Sequence, residues 1–231
     1  MHHLEHYRLF EGLDRQSLDE IASSARTLHA KRGVILFEER APAEALYAVQ
    51  NGWIRLYKLA VDGRQSVMRL AGPAEVVGIS AVLPGMEYTL SAQTIAPCRL
   101  LVWHKDDLHR LIDRYPILQG NSVRLLSEYR DALQQQLLEL ATEHVEQRLA
   151  HALIRLADHY GTPTDTPNHL ALPLMQRDLA DLIGVSHYTV NRLLHLWQQQ
   201  DIVQTQRGSI VIVDRQRLLA LAETSPGYDG G

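Results

Sequence analysis

The sequence predicts an α+β chain: an N-terminal antiparallel β-roll, a long helix and a C-terminal winged helix-turn-helix. Three observations carry that expectation. Short β-branched and aromatic runs, separated by turn signals, fill the stretch from Thr27 to about Trp103. From Ile117 to Tyr160 the sequence is helical almost throughout. Residues 176–194, QRDLADLIGVSHYTVNRLL, read as two short amphipathic helices joined by a tight turn.

The elements follow in order. In residues 4–24, Leu9, Phe10, Leu13, Leu18, Ile21 and Ala22 recur at helical spacing and predict short helices. GVILF, ALYAVQNG, WIRLYKL, QSVMRLAG, VVGIS, YTLSAQTI and CRLLVW are the strand-like runs. The turns between them include Ala41-Pro42, Asn51-Gly52, Asp62-Gly63, Gly72-Pro73 and Pro84-Gly85. Asn51-Gly52 and Asp62-Gly63 read as hairpin turns, because both central positions accept positive φ. Asp106–Tyr115 is a short helix that stops before Pro116.

In the long helix, Leu126, Tyr129, Leu133, Leu137 and Leu140 form an apolar seam spaced three and four apart, the pattern of a two-helix dimer contact. The alternative is that the seam packs on the chain's own roll. Residues 161–168, GTPTDTPN, read as a linker. A helix ending at Ile183 is followed by Gly184, which accepts positive φ, and by Ser186, a natural N-cap. Ala180, Gly184 and Val190 sit where crossing helices need a small residue, a turn glycine and a core plug. Asp201–Val213 reads as two strands around Arg207-Gly208, the wing, and Arg215–Ala222 as a final helix. The expected domains are 1–115 (roll with N-terminal helices), 116–143 (dimerisation helix) and 144–231 (winged helix-turn-helix).

Composition bounds the function. The chain has 231 residues, 45% hydrophobic and 22% charged, as soluble globular proteins do. No apolar run approaches the ~20 residues of a membrane span, and MHHLEHYRLF has no apolar secretory core, so a cytoplasmic protein with no membrane partner is expected. Cys98 is the only cysteine, which excludes an internal disulfide and an all-cysteine metal cluster within one chain. The net charge of −4 argues against non-specific coating of nucleic acid, yet leaves room for a local positive patch. No acid–base or metal constellation of an enzyme stands out.

Order and motifs together resemble the Crp/Fnr family of bacterial transcription regulators over nearly the whole length. GVILFEERAPAEALYAVQNGWIRLYKLAVDGRQ is similar to the first half of its cyclic-nucleotide-binding-type roll, with Gly33, Leu46, Tyr47, Gly52 and Gly63 at the family's spacing. LAGPAEVVGIS resembles its glycine-punctuated turn segment through Leu70, Gly72 and Gly78. VEQRLAHALIRLA resembles the helix entering the DNA-binding domain, and LADLIGVSHYTVNRLLHLWQQQDIV the recognition region. The resemblance implies a homodimeric regulator whose sensor roll controls DNA binding allosterically, through a hinge near Glu139–Glu146, with RNA polymerase as a further partner.

The departures from the family pattern bear on the effector. Members that bind cyclic AMP hold the ribose with a Gly-Glu pair and the cyclic phosphate with an Arg-Ser pair. Here those positions read Gly78-Ile79 and Leu90-Ser91. Isoleucine cannot accept ribose hydroxyls and leucine cannot neutralise phosphate, so tight cyclic-nucleotide binding is not expected. The cysteine cluster of the oxygen-sensing branch is missing as well. The effector pocket implied by the resemblance involves Gly78, Ile79, Leu83, Tyr88, Leu90, Ser91 and Tyr129, with an expected apolar lining. Such a lining suits haem, and EVVGISAVLPGMEYTLSAQTIAPC resembles the nitric-oxide-responsive branch, which senses through haem. His3, His6, His29, His104 and His151 are candidate axial ligands. Another small molecule, or no effector, is the alternative.

The recognition helix presents His187, Tyr188, Thr189, Asn191 and Arg192. Arg192 can make a bidentate pair with guanine O6 and N7. Tyr188 cannot accept from cytosine N4 as a carboxylate would, so the half-site is expected to depart from the family's usual one. Ser186, Thr189, Gln206 and Arg207 are phosphate candidates. A dimer would place two such helices roughly 34 Å apart on near-palindromic double-stranded DNA. A module of the cyclic-nucleotide type that regulates a protein partner is the alternative from another class; the helix-turn-helix and wing weigh against it.

Overall fold

A computed structural model of the chain describes residues 4–59, 65–163, 170–172, 174–206 and 208–223. It divides into two compact units, Met1–Leu133 and Gln134–Gly231. No helix among the described residues is long and apolar enough to cross a membrane.

The first unit opens with two 3-10 turns, Leu4–His6 and Arg8–Phe10, and helix α1 (Arg15–Ser24), capped by Asp14, which accepts from the Ser17 N–H at 2.8 Å. Eight strands follow: β1 (Arg26–Ala30), β2 (Ile35–Phe37), β3 (Ala45–Asn51), β4 (Ile54–Leu59), β5 (Gln65–Ala71), β6 (Val76–Val77), β7 (Ser91–Thr94) and β8 (Cys98–His104). They form two antiparallel sheets, ordered β1-β8-β3-β6 and β2-β7-β4-β5. Leu46, Val49, Ile54, Leu56, Ala92, Leu100 and Trp103 drain both sheets into one core. Helix α2 (Lys105–Arg114) and the first part of helix α3 (Ile117–Thr142) complete the unit. Trp103 Nε1 donates to Ile21 O at 2.9 Å, and Asn121 Nδ2 donates to Leu9 O and Glu11 O, both at 2.9 Å, so α1 is tied to the roll and the second N-terminal turn to α3.

Asn51-Gly52 corrects one expectation. It is not the turn of a paired hairpin, because β3 and β4 belong to different sheets. Gly52 has φ 92°, and a Cβ there would lie 2.4 Å from Pro97 O, so the turn is wedged against the segment before β8 and passes the chain from one sheet to the other. The Asp62-Gly63 turn lies outside the described residues; β4 and β5 pair on either side of it, from Leu59↔Gln65 inward.

The second unit holds the end of α3 and helices α4 (Val145–Tyr160), α5 (Gln176–Ile183), α6 (His187–Gln199) and α7 (Arg215–Glu223). The helix from Ile117 is interrupted at Glu143 and His144, where Gln147 Oε1 accepts the His144 N–H at 3.0 Å and starts α4 afresh. A sheet ordered β11-β12-β10-β9 backs the helices, built from β9 (Thr162–Pro163), β10 (Leu170–Leu172), β11 (Val203–Gln206) and β12 (Ser209–Ile212). The wing hairpin is the expected β11–β12 pair; β9 falls in the stretch expected to be linker and β10 just after it, two strands that the sequence pattern does not predict. Residues 164–168 of that linker lie outside the described residues.

The α5–α6 turn is built as its residues dictate. Gly184 has φ 70° and ψ 36°, and Val185 N–H donates to Ala180 O at 3.1 Å, closing α5. Ala180 and Val190 are both fully buried at the crossing. No atom lies within 4 Å of a Cβ added at Gly184, so the residue is fixed by backbone conformation rather than crowding. Gly184→Ala is therefore expected to cost about 1 kcal/mol, read as a lowered urea midpoint, from the left-handed conformation alone. An unchanged midpoint would remove the stated role of this turn.

Candidate functional site

Ser186 starts α6. Its hydroxyl accepts the Thr189 N–H at 3.1 Å and pairs with Thr189 Oγ1 at 2.8 Å. Val190, Leu193, Leu194 and Trp197 form the buried face of α6. The other face is left to solvent: His187, Tyr188, Asn191, Arg192 and His195 are exposed, Tyr188 to 77%. Their spacing makes two adjacent stripes, Tyr188–Arg192 and His187–Asn191–His195, each with steps of four residues. Arg192 has no ion pair or hydrogen bond among the described residues, so its guanidinium is free to meet an outside partner. The expected base-reading side chains thus share one helix face, while Ser186 and Thr189 are committed to the cap and to each other.

Arg177, exposed in the first turn of α5, is a cation that the sequence reading did not single out. In a helix-turn-helix the first helix crosses the phosphate backbone. Gln206 is exposed at the end of β11. Arg207 lies outside the described residues.

The seam of α3 splits in the structure. Leu118, Asn121, Ser122 and Leu125 are buried within the first unit. Tyr129 continues that inward face: its ring lies under the Arg69 guanidinium, 4.0 Å from carbon to ring centre. Leu126, Leu133, Leu137 and Leu140 are exposed, Leu137 to 67%. Val123 extends their stripe, and Arg130 takes the place expected for Tyr129. The corrected run, 123–126–130–133–137–140, alternates steps of three and four and stays on one helix face.

The expected sensor pocket also changes character. Gly78 is left-handed (φ 81°), and a Cβ there would lie 2.7 Å from Ala45 O, so it serves close packing. Tyr88 stacks on Phe37 with ring centres 3.9 Å apart, and its hydroxyl donates to Ala45 O at 2.8 Å and accepts from Ala45 N at 2.9 Å. Tyr88 is therefore part of the roll's core, and burial pushes its hydroxyl pKa up. The Ser91 hydroxyl accepts the Glu39 N–H at 2.9 Å. Leu83 is largely exposed, while Ile79 and Leu90 are half-buried.

Around Tyr129 the expected apolar lining is charged instead. Arg69 Nη1 lies 2.8 Å from Glu75 Oε1, and Glu75 Oε2 accepts the Gly72 N–H at 3.0 Å. Burial pushes the Tyr129 hydroxyl pKa up against the opposing pull of Arg69.

Haem does not fit this arrangement. His6, His29 and His104 are exposed, at a 3-10 turn, on β1 and at the end of β8. His151 belongs to the second unit, with Nδ1 3.0 Å from Glu143 Oε2. His3 lies outside the described residues. The histidine bonded to this end of the roll is His109, not among those expected; its Nε2 is 3.0 Å from Ala81 O. Glu139, Glu143 and His151 bring possible metal-ligand atoms within 4.8 Å of one another, but Arg155 Nη1, 2.5 Å from Glu139 Oε1, already balances the buried carboxylate.

Comparison with known proteins matches residues 27–115 to the cyclic nucleotide-binding domain and residues 147–221 to the Crp-like helix-turn-helix domain. The chain is 26% identical over 210 residues to the CRP-like cAMP-activated global transcriptional regulator of Mycobacterium tuberculosis, covering 91% of this chain and 94% of that protein. It is 28% identical over 213 residues to the transcriptional activator protein anr of Pseudomonas aeruginosa, covering 90% of this chain and 84% of that protein. Among solved structures, FixK2 from Bradyrhizobium japonicum superposes with a TM-score of 0.75 at 24% identity, covering 87% of this chain and 99% of that one.

Proposed function

From the chain's membership of the Crp/Fnr family of transcription regulators, to which it belongs by its sensor-type and helix-turn-helix domains, we propose that it acts as a homodimer reading near-palindromic DNA. The family is one of regulators, not enzymes. The observation that carries the finer reading is the exposed face of α6, on which Tyr188 and Arg192, without a side-chain partner among the described residues, stand one turn apart. Residues 1–115 sense, 116–143 dimerise and 144–231 bind DNA, with Ser186, His187, Thr189, Asn191, Arg207 and Arg177 flanking the base-reading pair. RNA polymerase is the further partner that family membership supports.

The sensor answers to an effector other than cyclic AMP. Leu90 offers no charge to a phosphate, the Ser91 hydroxyl is spent on Glu39 N–H, and Ile79 offers nothing to a ribose. Control requires that the effector bind one arrangement of the dimer better than the other.

The test is recovery of bound duplexes from a randomised pool, followed by gel-shift titration with and without cyclic AMP. Two inverted half-sites about one helical turn apart are expected, with an affinity that 1 mM cyclic AMP (about a thousand times a micromolar Kd) changes less than twofold. Recovery of no preferred sequence would overturn the DNA-reading claim. A tenfold response to cyclic AMP would overturn the claim about the sensor.

A further inference from the structure

Side-chain hydrogen bonds tie the α3–α4 junction to each helix that follows it. Gln136 Nε2, on the last turns of α3, donates to Leu182 O at 3.2 Å. That carbonyl lies in the final turn of α5, where helix geometry leaves acceptors without an intrahelical donor. Trp197 Nε1, on the buried face of α6, donates to Glu146 Oε1 in the first turn of α4 at 3.0 Å. Gln147 Nε2 donates to Ala222 O of α7 at 3.4 Å. Between them Glu139, 2% exposed, accepts from Arg155 Nη1 at 2.5 Å, locking the end of α3 to α4.

We propose that Gln136 and Glu146 are positioning residues for DNA recognition. They fix the direction in which α6 presents Arg192 relative to the end of α3, and in the dimer this sets the half-site separation that the protein accepts. The inference rests on the dimeric DNA-binding reading above. Its physical ground is directionality. The apolar contacts among α4, α5 and α6 hold the helices together but resist small rotations weakly, since burial is non-directional. Hydrogen bonds lose strength steeply once bent, so one bond to α5 and one to α6 resist such rotations. Gln136 holds the last turn of α5 and Glu146 the last turn of α6, so the two bonds together constrain the orientation of both helices.

One base pair of added spacing turns a half-site by about 35° around the duplex, so separation is a sensitive readout of orientation. The experiment uses the full-length protein and the palindromic duplex that the wild type recovers, remade with one or two base pairs added or removed at its centre. Wild type is expected to bind the shifted duplexes about tenfold or more weakly than the original. Gln136→Ala, alone and combined with Glu146→Ala, is expected to narrow that preference to about threefold or less, while affinity for a duplex carrying a single half-site stays within about twofold. Glu146→Gln alone, which keeps a carbonyl oxygen for the Trp197 N–H, is expected to retain the wild-type preference. A purely structural loss would weaken every duplex alike and leave the spacing preference as sharp as in wild type, and that result overturns the inference. Gln136 is half-exposed, so Gln136→Ala gives the answer even where the double variant unfolds. If wild type itself recovers no palindrome, the DNA-binding reading falls first; if it does and the variants discriminate unchanged, only the positioning claim falls.

Discussion

Arg192→Ala is expected to abolish sequence-specific DNA binding while leaving the protein folded. A bidentate arginine–guanine pair discriminates by ~1–3 kcal/mol, and a dimer makes two. The loss on the preferred palindrome is therefore on the order of a hundredfold or more, read by gel-shift titration. Affinity for random-sequence duplex should fall only a few-fold, because the remaining phosphate contacts carry that binding. The fold is insulated because Arg192 is exposed and has no partner among the described residues, so its removal strands no buried group. Equal losses on both duplexes would mean that Arg192 meets phosphate rather than a base edge.

Leu137→Glu is expected to separate the dimer. Leu137 is the most exposed residue of the α3 stripe, so it contributes little to the single chain's own core. Across a two-fold axis it would be buried twice, once from each protomer. Losing two buried leucines removes ~1.5–3 kcal/mol each, and two carboxylates in their place add repulsion. Sedimentation should show the dimer dissociation constant raised by about a hundredfold or more, and binding to the palindrome should fall towards that of a lone half-site. A variant that sediments as wild type would place the dimer contact elsewhere.

What the sequence made legible follows how local each signal is. The α5–α6 turn depends on Gly184, Ser186 and residues within a few positions, so its cap and exposed face could be read directly. The long helix could be read as helix, but α3 is 26 residues with apolar residues on more than one side. Periodicity marks those residues without saying which face meets the roll, and so Tyr129 was placed on the outer seam although Arg69 holds it inward. Strand partners are less local still. Asn51-Gly52 has the chemistry of a hairpin turn, yet its strands pair elsewhere, because the close approach to Pro97 comes from a segment over forty residues away. The charged setting of Tyr129 was hidden for the same reason: Arg69 and Glu75 reach it from β5 and the turn after it. Strands β9 and β10 are two and three residues long, too short to show any alternation.

The most direct test of recognition by α6 is methylation interference at guanine N7 on the recovered palindrome. N7 faces the major groove, where an inserted helix and a bidentate arginine must meet it. Two symmetric sets of interfering guanines, roughly 34 Å apart and lost with Arg192→Ala, are the predicted result. Binding that is indifferent to N7 methylation on both half-sites would contradict it.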